Sequence, residues 1–214
     1  FAGYVLDFAL MMIKSILSWR ENQKVRMNRM KLSRRDFLVT SGSMLLLNGC
    51  VHAVGRPSLR VVQLCDTQLG FGGYEHDKAT FRLAVEQINA LAPDFVVICG
   101  DLVHDIGSEQ AWNDFLAIKA GLKCPCHCAP GNHDIGNEPT DSSIEHYRRL
   151  IGPDYFTFEC KGFQVMIVNT QLWKSPLSGA SEKHDEWVRA TLKSAREQRR
   201  PVIVAGHIPL FVEE

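Results

Sequence analysis

Three features of this 214-residue chain predict an α/β fold with a mostly parallel sheet. From Arg60 onward, short apolar runs rich in β-branched residues alternate with stretches of helical period. Most connections between those runs are long enough to carry a helix, as right-handed parallel crossovers require. Four of the runs are followed by loops ending in potential metal ligands, and in α/β sheets such loops gather at the carboxyl ends of the strands.

Each element has a local reason. Leu59–Cys65 (LRVVQLC) reads as the first strand, and Lys78–Leu91 as a helix with Phe81, Leu83, Ala84 and Ile88 on one face. Asp94–Cys99 is the next strand. Ser108–Leu122 is a helix whose serine serves as N-cap. Leu122–Ala129 is a third strand, and a helix near Ser142–Ile151 stops at Gly152-Pro153. Tyr155–Cys160 and Phe163–Asn169 form a hairpin about Lys161-Gly162. Ser181–Arg199 is a long charged helix with Trp187, Leu192 and Ala195 available to pack, and Pro201–Ala205 is the last strand. No internal repeat or low-complexity segment interrupts this order.

Composition narrows the class. With 45% hydrophobic residues the chain can bury a substantial core, and with net charge zero it offers no basic surplus for nucleic acid. The seven cysteines do not form a secreted disulfide framework. Cys65 and Cys99 lie in strand-like runs, where a free thiol acts as a small hydrophobe. Cys124, Cys126 and Cys128 invite a zinc reading. Their period of two places all three on one strand face, and the second pair of a zinc ribbon is absent, so core packing is expected.

The N-terminal region stands apart. Residues 30–50 (MKLSRRDFLVTSGSMLLLNGC) resemble a twin-arginine export leader ending in a lipoprotein cleavage box. Arg34 and Arg35 supply the arginine pair, Phe37–Leu47 an apolar stretch too short for a transmembrane helix, and LNGC the box. The resemblance implies export to the periplasm or cell envelope and membrane contact through a lipid on Cys50. Residues 1–29 are set aside as upstream or non-native, because they begin with Phe1 and carry Asp7 and Lys14 within their apolar stretch. A native signal anchor is the alternative. Residues 51–59 read as a linker and 60–214 as the main domain.

The four loop blocks carry the chemistry. They are DTQ at Asp66–Gln68, GDLVHD at Gly100–Asp105, GNHD at Gly131–Asp134 and GHIP at Gly206–Pro209. Singly, each has a bland explanation: Asp66 as a helix N-cap, Asn132 as a turn residue, His207 as the end of a strand. Together, Asp, Gln, Asp, Asn and His make an oxygen-rich site with some imidazole, which suits hard or borderline divalent metals.

In this order the blocks resemble the calcineurin-like metallophosphoesterase superfamily, whose pattern runs D-x-H, GD, GNH[DE], a lone His and G-H-x-H. The strings DTQLG, GDLVHD, GNHDIGN, VNTQLW and GHIPLF are similar to its small single-domain serine/threonine phosphatase-like branch. The resemblance implies an αββα sandwich with two divalent metal ions at its strand ends. It implies Asp66 and Gln68 on one ion, Asp101 bridging both, and Asn132 and His207 on the other. It implies hydrolysis of a phosphomonoester or phosphodiester by attack of a water or hydroxide held by the ion pair, whose spacing is about 3.5–4 Å. His133 would hydrogen-bond the phosphate or protonate the departing alkoxide, and Asp134 would orient His133.

Three departures qualify that expectation. Gln68 stands where the family has histidine, which tilts the choice among Mn, Mg, Fe and Zn toward Mn or Mg. His104 and Asp105 stand where protein-phosphatase members carry Asp and Arg, leaving His104 open as a site wall or a plain loop residue. The sequence reaches Glu214 without a G-H-x-H block, so the C-terminal part of the sandwich is expected to be missing and this polypeptide to bind metal poorly. The rivals are a non-catalytic scaffold with a degraded site, or an intracellular serine/threonine protein phosphatase if the leader is spurious. Asn169 and Gln171 are expected to touch substrate or to serve turn chemistry. Gly70–Tyr74 (GFGGY) is expected to form a flexible rim loop; it lacks P-loop and dinucleotide-motif spacing.

Overall fold

The computed structural model describes residues 8–10 and 58–209. The expected leader, its Cys50 and nearly all of the linker lie outside the described residues. Four parallel strands form the first sheet in spatial order: β1 (Phe8–Leu10), β2 (Val61–Leu64), β3 (Phe95–Cys99) and β4 (Cys126–Ala129). Three residues of the stretch expected to stand apart from the fold thus form its edge strand. The second sheet contains β5 (Phe156–Cys160) antiparallel to β6 (Phe163–Ile167), with β7 (Val202–Ala205) parallel to β6.

Among the described residues six helices accompany the strands: α1 (Tyr74–Leu91), α2 (Glu109–Lys119), α3 (Asn132–Ile135), α4 (Asp141–Leu150), α5 (Gln171–Lys174) and α6 (Ala180–Glu197). The hairpin turns at Lys161 (φ 48°) and Gly162 (φ 84°), both left-handed, as a two-residue turn matching strand twist requires. That hairpin begins a second sheet, so the strands divide between two packed sheets, as the sandwich implied by the resemblance has them.

β3 shows why its sequence is apolar without alternation: all five residues are buried. Phe95, Val97 and Cys99 face the second sheet and pack with Phe163, Val165 and Ile167. Val96 and Ile98 face the helices and pack with Phe81, Ile88, Trp112 and Phe115. The order is therefore helices, first sheet, second sheet. Cys128 is buried in the helix-side core with Cys124 and Cys126 packed against it, so the cysteine triplet serves packing as expected.

Two helix faces differ from expectation. In α1, Phe81, Ala84 and Ile88 are buried with Val85, whereas Leu83 is 53% exposed. Leu83 lies two residues from Phe81, a rotation of about 200° that carries it to the solvent side. In α6, Ala195 is buried while Leu192 stays exposed. At the start of α2 the Ser108 hydroxyl accepts the Ala111 N–H, confirming the predicted cap.

α6 also buries His184 completely. Its Nε2 accepts the Asn169 N–H at 3.3 Å, and the rings of Tyr155, Trp173 and Trp187 surround it at 4.9, 5.0 and 6.0 Å. Burial lowers its pKa below the ordinary 6.5, opposed by Asp185 and Asp154.

Two measurements test this packing. Phe115 is fully buried and stacks on Phe81 at 5.5 Å, so Phe115→Ala loses about 3–5 kcal/mol in chemical denaturation. Leu83→Ala stays within about 0.5 kcal/mol of wild type. Because His184 is neutral in the fold, its stabilising contribution is complete above pH 6.5 and drains as pH falls from there toward the depressed folded value. Melting temperature therefore drops between pH 7.5 and 5.5, and His184→Gln flattens that slope. An unchanged slope in the variant refutes the assignment.

Candidate metal centre

The predicted ligands all lie just beyond the carboxyl ends of strands. Asp66 and Gln68 follow β2, Asp101 follows β3, Asn132 and His133 open α3 after β4, and His207 follows β7. The first three come from one sheet's neighbouring strands, and His207 reaches them from the other sheet.

Backbone bonds zip the first two loops together. Asp66 N–H donates to Gly100 O at 3.2 Å, Gln68 N–H to Asp101 O at 2.8 Å and Leu69 N–H to Leu102 O at 3.3 Å. This register holds Asp66, Gln68 and Asp101 at φ of 53°, 36° and 52°, the left-handed region that non-glycine residues seldom adopt. Such strain persists only where surrounding bonds over-determine it, and it concentrates at functional sites. Sequence gives no sign of it, because glycine is absent from all three positions.

Two glycines permit the close approach of the loops. A side chain on Gly100 (φ 78°) would meet His207 Cβ at 2.7 Å and Gly131 Cα at 2.8 Å. One on Gly131 would collide with the carboxylate and backbone nitrogen of Asp101.

The side chains converge. Ligand atoms of Asp66, Asp101 and His207 lie within 4.8 Å of one another. His207 Nδ1 is 2.9 Å from the Cys99 carbonyl, which only accepts, so Nδ1 carries the proton. Nε2 is left to face Asn132 Oδ1 at 3.1 Å and Asp101 Oδ1 at 3.4 Å, as a lone pair when only Nδ1 is protonated. In that state a cation among these three electron-rich atoms relieves their repulsion, as a proton on Nε2 does in its absence. A backbone carbonyl fixing the far nitrogen is also the usual support of a metal-binding imidazole. The donor set therefore fits divalent ions, with two carboxylates, an amide oxygen and an imidazole. Gln68 is buried beside this group, its backbone tied to Asp101.

His133 is fixed twice. Its backbone N–H donates to Asp101 Oδ1 at 2.9 Å, and its Nδ1 donates to the His104 carbonyl at 2.7 Å. The His104 and His133 rings stack at 5.0 Å, which makes His104 part of the site wall. Asp134 plays a different part from the one expected. Its carboxylate accepts from Leu102 N–H (2.8 Å), Val103 N–H (3.4 Å) and Gly131 N–H (2.8 Å), not from His133. Asp134 thus clamps the Asp101 loop to the Asn132 loop, and His104 orients His133. Complete burial pushes the Asp134 carboxyl up to about 7, with the Gly131 and Leu102 amides pulling the other way.

Asn169 and Gln171 are both wholly buried. Asn169 Nδ2 donates to Asp154 Oδ2 at 2.9 Å, and Gln171 Nε2 to Gly136 O at 3.0 Å. They tether loops from beneath. The GFGGY segment is held more firmly than expected, since Gly70 and Gly72 N–H donate to the buried Asp77 carboxylate at 3.1 and 2.9 Å. Beside His133 an open depression is lined by His104, Asp105, Ile106, Asn132 and the Gly136–Asn137 turn, with no lysine or arginine among these residues.

Crowded acids and an ion-binding site make a paired prediction. In metal-free buffer Asp66→Asn melts no lower than wild type, because a carboxylate beside Asp101 is neutralised. With Mn²⁺ at one hundred times the wild-type Kd, wild type gains about 2.7 kcal/mol and the variant gains much less. Equal gains in thermal melts would remove Asp66 from the ligand set.

Comparison with known proteins gives the family and the fold. Residues 49–213 match the Calcineurin-like phosphoesterase family model. Serine/threonine-protein phosphatase CPPED1 of Homo sapiens is 35% identical over 160 residues, 70% of this chain and 50% of its own length. The Danio rerio protein of that name is 34% identical over 175 residues, 71% of this chain and 57% of its own. The 3',5'-cyclic adenosine monophosphate phosphodiesterase CpdA of Escherichia coli (strain K12) is 28% identical over 169 residues, 73% and 58% respectively. The chain spans about half the length of the curated relatives it matches. In fold it is similar to a dimetal phosphatase from Danio rerio, with TM-score 0.54 and 17% identity over 72% of this chain and 71% of that one. The purple acid phosphatase PPD1 of yellow lupin (Lupinus luteus) gives TM-score 0.52 and 21% identity over 70% and 30%. By the extent of the family match and the agreement of fold, this chain belongs to the calcineurin-like phosphoesterase family.

Proposed function

We propose that the protein hydrolyses phosphoric esters at a divalent-metal centre held by Asp66, Gln68, Asp101, Asn132 and His207. The observation that carries this is the His207 ring, whose Nε2 is aimed at Asn132 Oδ1 and Asp101 Oδ1 by the Cys99 carbonyl, with Asp66 within 4.8 Å of the group. Divalent ions bound there would supply charge against the phosphoryl oxygens and make water more acidic. Mn²⁺ or Mg²⁺ is favoured by the oxygen-rich donors.

The chain's own residues supply the rest. With Nδ1 committed to the His104 carbonyl, His133 has only Nε2 to hold a proton toward the open depression. That is the position of a general acid for the departing alkoxide or of a donor to the phosphoryl group. Asp101 fixes the His133 backbone through its own carboxylate, and Asp134 keeps the two loops in register. Asp134 acts as a positioning residue.

The named relatives include phosphatases and a cyclic-nucleotide phosphodiesterase, which supports both monoesters and diesters as substrate classes for this chain. One observation favours a second reading, a scaffold with a degraded site: Gln68 gives the site an amide where the family pattern has imidazole. An export leader at residues 30–50, with a lipid on Cys50, belongs to the proposal on the strength of the sequence alone.

The test is Mn²⁺-dependent turnover of p-nitrophenyl phosphate and bis-p-nitrophenyl phosphate. Asp101→Asn is expected to abolish turnover with both. His133→Ala should lower it by about 10²–10⁴, less where the leaving group is already a weak base. Metal uptake without turnover of either ester decides for the scaffold.

A further inference from the structure

Phe71 is 61% exposed on a loop whose other features all restrain it. Its N–H donates to Gln68 O at 3.0 Å, and the glycines on either side are held by Asp77. Gly70 (φ 104°) and Gly73 (φ 117°) bend the chain around it. A single exposed phenylalanine is ordinary on a mobile surface loop. Here a restrained loop presents the ring beside His104, at 5.5 Å and 57°. His104 in turn stacks on His133 at 5.0 Å and 26°. The three rings thus run in series from the candidate proton donor outward, a ladder whose inner pair is stacked and whose outer ring is tilted.

His104 joins both ends of that ladder. Its N–H donates to Leu69 O at 3.1 Å, and its carbonyl receives the His133 ring proton. The rungs are therefore fixed to the two loops that carry Asp66 and Asp101. The depression beyond His133 has Asp105 on its wall and no lysine or arginine among its lining residues. Charge attraction is a poor means of gripping the far side of a substrate there, whereas the rings of His104 and His133 line the depression and Phe71 lies next to His104.

We propose that the Phe71 ring, held beside His104, is the platform for a flat aromatic group on the leaving-group side of the ester. This rests on the hydrolase reading above, in which the group departing past His133 moves onto this ladder. The recognised chemistry is an aromatic face, which a phenol ester or a nucleoside ester would each provide.

The experiment uses the full chain with Mn²⁺ and measures binding by calorimetry. Two matched pairs are compared: phenylphosphonate against cyclohexylphosphonate, and adenosine 5′-monophosphate against ribose 5-phosphate, the second pair under conditions of no turnover. Phe71→Ala is expected to weaken an aromatic member about 3- to 10-fold, the size of one aromatic contact, and leave its saturated or base-free partner unchanged. Phe71→Trp restores the preference. Metal uptake and melting temperature in both variants stay at wild-type values, which excludes misfolding. A response in the phenyl pair names a phenol ester as the source, and one in the adenosine pair names a nucleoside ester. Equal weakening within both pairs, or none, overturns the platform while leaving the hydrolase reading intact. Failure of every ligand to bind wild-type protein in Mn²⁺ overturns both.

Discussion

His207 belongs to the second sheet, yet its ring is hydrogen-bonded to the backbone of the first. The bond from Nδ1–H to the Cys99 carbonyl crosses the interface between the sheets, and the opposite edge of the ring then meets Asn132 and Asp101. Around that crossing the other residues have little freedom. Gly100 must lack a side chain so that the ring can lie against it, and Gly131 must lack one so that Asp101 can turn inward. The packing of Phe95, Val97 and Cys99 on Phe163, Val165 and Ile167 sets the separation of the sheets, and hence where the imidazole arrives. A site built across two sheets is only as well placed as the apolar layer between them.

Buried carboxylates divide their labour according to what reaches them. Asp134 is fully buried and surrounded by backbone amides, so it organises loops and has no part in exchange with the depression. Asp101 is nearly as buried, yet one of its oxygens also lies near an imidazole nitrogen and a backbone amide. Two acids of the same type, thirty-odd positions apart, differ in use because one is saturated by backbone donors and the other keeps an oxygen toward the His207 imidazole.

Much of this was legible from residues alone. The strand-end location of Asp66, Asp101, Asn132 and His207 followed from apolar runs preceding each block, and the Ser108 cap and Lys161-Gly162 turn followed from local chemistry. What escaped was set by distance in sequence. Asp134 was assigned to its neighbour His133 because adjacency is all a sequence displays, whereas its partners Leu102 and Val103 lie on another loop. The role of the His104 carbonyl was invisible, since every residue has one. Leu83 and Leu192 were placed inward for their hydrophobicity, while helix rotation and the neighbouring layer decide which side is covered. The restraint of GFGGY depended on Asp77, which reads in sequence as an ordinary first-turn acid.

The left-handed backbone at Asp66, Gln68 and Asp101 reaches into the protein's evolution as well. Glycine adopts that conformation without penalty, and relieving it at a strained residue commonly improves stability. A laboratory selection for heat tolerance alone would drift toward glycine at such places, Gln68 first, because aspartate suffers less there. Survivors would be sturdier and empty-handed, having exchanged donor atoms for relaxed chain. Retaining bulky polar residues where the backbone prefers none is the mark that selection in nature has weighed something other than endurance.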